Sequence, residues 1–134
     1  MTKKKREAIK QKYGGRCAYS GTVLDDDWQI DHLIPKRMII QKYNTIKNHD
    51  NIENLIPCQK IINHYKRSMS LHDFRTWYMK DLHKRLKKLP KNPKVQRSIK
   101  HKEYLLKVAS YFGITEDKPF SGIFYFETIK NEKI

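Results

Sequence analysis

The chain has 134 residues, enough for one domain with an appendage, and only 38% of them are apolar, which predicts a thin core and much exposed surface. Its 29 lysines and arginines against 14 acidic residues leave a formal charge of +15, an excess that repels itself on folding and calls for a polyanionic partner. No apolar run approaches the roughly 18 residues that span a bilayer, no signal peptide opens the chain, and two cysteines make no disulfide framework, so a reducing, cytoplasmic setting is expected.

Residues 3–13 carry helix formers up to Gly14-Gly15, which predicts a short N-terminal helix. Residues 16–58 hold turn formers and short apolar runs, among them Trp28-Gln29-Ile30 and Leu33-Ile34. They predict a small β-hairpin with a long connection through 36–52. Ile61, Ile62 and Tyr65 suit one short helix from Gln59 to about Arg67. Ser70-Leu71-His72-Asp73 reads as a capped helix start, followed at helical spacing by Phe74, Trp77, Tyr78, Leu82 and Leu86. Trp77 and Tyr78 are therefore expected in the core. Pro90 and Pro93 end that helix. Residues 95–112 predict another amphipathic helix, closed by Gly113, and Ile123-Phe124-Tyr125-Phe126 reads as a terminal strand.

One constellation carries chemistry. Asp31-His32 is followed by Leu33-Ile34-Pro35, then by Asn54-Leu55-Ile56-Pro57, then by Asn63-His64-Tyr65-Lys66. Hydrolysis of a phosphodiester requires that water lose a proton and that charge on the phosphate oxygens and the leaving oxygen be stabilised. Histidine is the side chain suited by type to act as a base near neutrality, and His32 supplies one here. Asp31 and Asn63 offer one carboxylate and one amide oxygen, donors of the kind a hard cation prefers.

These motifs, in this order, resemble the HNH endonuclease family in its HNN form. The resemblance covers roughly residues 12–75. It implies an α+β fold with a ββα-metal core, flanked here by the N-terminal helix and by a helical C-terminal extension ending in the short strand. It assigns the metal ligands to Asp31 and Asn63, the general base to His32, and to Asn54 the holding of the loop that orients His32. It implies one divalent cation, Mg²⁺ or Mn²⁺, and hydrolysis of DNA. The expected division is a core over 1–75 and a basic extension over 76–134 packed on it as part of a single domain. Tyr111-Phe112-Gly113-Ile114 with the 123–127 segment resembles, less specifically, the end of small HNH proteins of phages and mobile elements.

The chain departs from the family at its zinc ligands. Many HNH domains carry two Cys-x-x-Cys pairs, and the matching positions here are Cys17, Ser20, Gln59 and Ile62, with Cys58 out of register. A four-thiolate site cannot form, so structural zinc is not expected; a site of Cys17, Cys58 and His64 is the remote alternative. Ile62 and its apolar neighbours are expected to take the place of the zinc as a packed cluster.

Phosphate contacts, to duplex DNA first, are expected from Lys36, Lys66 and Arg67 near the constellation. Lys88 and Lys91 belong to a second concentration of basic residues over 84–102. Two rival readings stand beside the nuclease: a nucleic-acid-binding protein without catalysis, and an accessory protein that binds structured RNA or an anionic surface through 84–102.

Overall fold

The computed structural model describes residues 1–35, 38 and 50–132. It is a mixed α+β fold. Helix α1 spans Lys3–Lys10; the Thr2 hydroxyl accepts from the Lys5 amide at 3.1 Å and caps it. A 3₁₀ turn over Gln11–Tyr13 follows, and Gly14 (φ 64°) and Gly15 (φ 80°) turn the chain away. Strand β1 (Gln29–His32) pairs antiparallel with β2 (Leu55–Cys58), Asp31 opposite Ile56 and His32 opposite Leu55. Among the described residues these two strands make the whole sheet. Helix α2 (Lys60–Lys66) follows β2 and packs back on β1.

Beyond α2, the Ser70 hydroxyl caps a short helix α3 (Leu71–Asp73), which continues as a π-helical stretch over Phe74–Met79. Helix α4 (Leu82–Lys88) and the long α5 (Gln96–Phe112) pack together, and α5 also touches α2. Gly113 (φ 69°) closes α5. Among the described residues no helix is long and apolar enough to cross a membrane.

Two expectations are corrected here. The segment at 123–126 is not a strand: Tyr125–Glu132 forms helix α6. Phe124 and Phe126 are both buried, an alternation that mimics a strand. The reason for the helix is its capping. Glu127 accepts from the Phe124 amide at 2.8 Å and binds the Arg75 guanidinium through both carboxylate oxygens at 2.7 Å. The open amides of Tyr125 and Phe126 donate to the Tyr19 and Ala18 carbonyls at 3.1 and 2.9 Å. Trp77 is the second correction, being 68% exposed rather than in the core. The π-helical stretch inserts a residue, so the buried positions run Phe74, Met79, Leu82, Leu86 and Trp77 rotates outward.

One apolar cluster runs from Ile9 to Phe126, drawing on both proposed halves of the chain. At its centre Phe74 stacks on Phe124 with centroids 5.5 Å apart, and Tyr19 meets both rings edge-on. The knuckle 17–22 joins this cluster to the sheet through the Ala18 amide, which donates to the Pro57 carbonyl at 2.8 Å. Gly21 (φ 76°) lies so near α6 that a Cβ there would meet the Tyr125 ring at 2.7 Å.

Candidate active site around Asp31 and His32

Residues two apart on a strand share a face. Gln29 and Asp31 share the face of β1 that meets α2. There the Asn63 amide nitrogen donates to Gln29 Oε1 at 2.8 Å, and one turn later Lys66 Nζ lies 3.0 Å from Asp31 Oδ2. Asp31 is 7% exposed and Lys66 is fully buried. A buried ammonium is costly unless it is paired and bonded. Lys66 has the Asp31 carboxylate and, at 3.4 Å, the His32 carbonyl. Asp31 also accepts from the Tyr19 hydroxyl at 2.5 Å on Oδ2 and from the His32 amide at 2.8 Å on Oδ1. Burial first, and the Asp31 charge second, push the Tyr19 phenol well above its ordinary value, so it remains a donor.

His32 lies at the surface end of β1, its side chain 30% exposed, with Nε2 2.9 Å from Asp50 Oδ1. The loop after it is bracketed by Asn54. The Asn54 carboxamide accepts from the Ile34 amide at 2.7 Å and donates to the Ile34 carbonyl at 3.1 Å, and its own carbonyl accepts from the Leu33 amide at 2.9 Å. Two consecutive residues beyond the histidine are thereby fixed, which sets the direction in which the strand ends.

The basic residues divide. Lys66, expected to reach phosphate, is instead the buried partner of Asp31, because α2 turns that position onto β1. Arg67, its neighbour, is exposed, with backbone angles φ 55° and ψ −139° that L residues rarely adopt. Such a conformation costs about 1–3 kcal/mol. Lys88 and Lys91 are exposed. Lys36 lies outside the described residues.

At the positions matching zinc ligands, Cys17 and Ile62 are fully buried in the apolar cluster, beside Cys58. Gln59 is buried too, and its carboxamide ties down the knuckle. Oε1 accepts from the Asp25 amide at 3.1 Å, while Nε2 donates to the Thr22 hydroxyl at 3.0 Å and the Val23 carbonyl at 2.8 Å. The packed cluster expected around Ile62 is present, and a polar clip that the spacing did not suggest works beside it. Burial first, then the Asp31 and Cys17 charges, raise the Cys58 thiol well above its ordinary value. His64 turns away, with Nδ1 2.6 Å from the Tyr104 hydroxyl.

The divalent cation implied by the resemblance would rest on Asp31 and Asn63. The donors do not fit it as arranged. Asp31 Oδ2 already holds an ammonium and a phenol, and the Asn63 carboxamide faces Gln29 rather than Asp31. Among the described residues no three His, Cys, Asp or Glu side chains are grouped to hold a metal. Sequence reasoning missed Tyr19, Gln29 and Asp50, and it met Gln59 only as a lost zinc-ligand position. All four act through partners distant in sequence. Compared with known proteins, the chain matches no family model, no curated protein and no solved structure.

Proposed function

We propose that this chain is a nuclease of the HNH type, hydrolysing phosphodiester bonds of DNA with His32 as general base on a ββα core formed by β1, β2 and α2. The observation that carries the reading is the accessible His32 imidazole, 2.9 Å from Asp50, on a strand end fixed by Asn54. Asp50, an acceptor, pairs with the tautomer that carries its proton on Nε2. A positioned imidazole of this kind contributes about 10²–10⁴-fold to a rate. The charge of +15 supplies attraction for a polyanion and requires no sequence readout.

The test is plasmid cleavage by wild type and His32→Ala, run in parallel with EDTA, Mg²⁺ and Mn²⁺. Nicking or linearisation by wild type alone is expected. Normal turnover by a folded His32→Ala variant overturns the assignment. One observation favours a second reading, a binding protein without catalysis: the Lys66 ammonium neutralises Asp31 from within the fold. Tight, salt-sensitive DNA binding with no cleavage under any of these conditions would select it.

A further inference from the structure

Where α2 ends, the surface changes character. Arg67, Arg85 and His101 line a cavity of about 440 Å³ together with the rings of Tyr65, Tyr78 and Tyr104. That volume falls in the range of roughly 300–1,000 Å³ usual for small-ligand sites. Among the described residues no acidic side chain lines the cavity. Neither guanidinium forms an ion pair among the described residues. Arg85 instead donates to the Tyr65 hydroxyl at 2.6 Å and to the Tyr78 carbonyl, both neutral acceptors. Its charge is positioned but not cancelled. The rings form a connected wall, with Tyr65 5.1 Å from Tyr78 and 6.1 Å from Tyr104 between centroids.

Arg67 adds an independent observation. Its φ of 55° is one a glycine adopts freely and an arginine does not. Strain of this sort persists only where the surrounding structure holds it, and it gathers at binding and active sites. Here the strained residue is one of the two guanidiniums facing the cavity.

Aromatic faces beside uncompensated guanidiniums match the two parts of a nucleotide, the base by stacking and the phosphate by charged hydrogen bonds. In an intact duplex the base faces are covered by their neighbours, so such a cavity takes a base only from an unstacked position. We propose that it binds one unstacked nucleotide of a nucleic-acid strand, with the base on the tyrosine wall and the phosphate on Arg67 and Arg85. His101 also borders a second cavity lined by Pro90, Arg97 and Ser98, which leads the strand toward the loop between α4 and α5. The inference rests on the reading of this protein as one that acts on nucleic acid, and it names the form of substrate that the protein prefers.

The experiment uses the full chain carrying His32→Ala, so that nothing is cut, and measures binding of three probes: a thymidine pentanucleotide, a pentamer of abasic sugar phosphates with the same charge, and thymidine monophosphate. The thymidine pentamer should bind about tenfold tighter than the abasic one, as base stacking on aromatic side chains provides. Adding Arg67→Gly should lower affinity for the thymidine pentamer while leaving the melting temperature unchanged or raised, a split that a merely structural arginine would not give. Adding Tyr104→Ala should remove most of the preference for bases. Equal binding of the two pentamers overturns the inference, as does an Arg67→Gly protein that binds like its parent. Monophosphate bound as tightly as the thymidine pentamer would replace the strand by a free nucleotide and overturn it too. Plasmid cleavage by wild type is scored separately. Cleavage without base preference removes the nucleotide site alone, and base preference without cleavage removes the nuclease alone.

Discussion

Around β1 the polar groups are partnered, Asp31 with Lys66 and His32 with Asp50, while Lys88 and Lys91 lie exposed on α4 and the loop after it, and Arg67 and Arg85 form no ion pair among the described residues. Lys66 and Arg67 bring the contrast down to two adjacent residues. One is fully buried against a carboxylate; the other is exposed in a strained backbone. A paired, buried cation is committed to the fold, because leaving it would strand its partner. An unpaired, exposed cation contributes little to stability and remains available to phosphate. Basic composition alone does not separate these uses, and burial does.

The largest effect should come from breaking a pair. Asp31→Ala leaves the Lys66 ammonium buried with only the His32 carbonyl, and the expected loss is about 3–5 kcal/mol, read from denaturant unfolding. Lys66→Met keeps the volume and leaves Asp31 bonded to Tyr19 and the His32 amide, so it should cost clearly less. It should also open Oδ2 to cations: Mn²⁺ binding, followed by electron paramagnetic resonance, is expected to tighten relative to wild type. Equal Mn²⁺ affinity in the two proteins would mean that Lys66 does not guard the carboxylate. A smaller effect is expected at the knuckle. Gln59→Ala removes three hydrogen bonds and should cost about 2–3 kcal/mol, with stability indifferent to strong chelators in both wild type and variant. Zinc retained by the purified protein through chelation would refute the clip and cluster as its replacement. The smallest folding effect belongs to the unpaired region. Lys88→Gln with Lys91→Gln should leave unfolding within about 0.5 kcal/mol of wild type, yet flatten the salt dependence of DNA binding by about one unit of slope for each phosphate no longer neutralised.

Much of the fold was legible because it depends on local pattern. The hairpin, α2 and α5 with its Gly113 stop follow from short apolar runs, helical spacing and a left-handed glycine. The loop-holding role of Asn54 came only from the family resemblance, since the backbone its side chain bonds is Ile34, 20 residues away. What failed was non-local. The π-helical insertion that exposes Trp77 changes no residue type, only the phase of the helix. The tail reads as a strand through Phe124 and Phe126, and it becomes a helix because Arg75 and the Ala18–Tyr19 carbonyls receive it. Lys66 looked like a surface charge because nothing in its neighbourhood announces that β1 lies above it. Its partner, Asp31, was visible; the contact between them was not.

The closure of α6 on the knuckle has a consequence for synthesis. Tyr19 is buried edge-on against the stacked pair of Phe74 and Phe124, and the carbonyls of Ala18 and Tyr19 are bonded by the amides of Phe126 and Tyr125. Tyr19 in turn anchors Asp31. A chain emerging from the ribosome therefore has β1, β2 and α2 outside long before it can seal the centre that holds Asp31 in place. Until Phe124 and Phe126 have been added, Tyr19 lacks the rings and amides that hold it, and the anchor of Asp31 is incomplete.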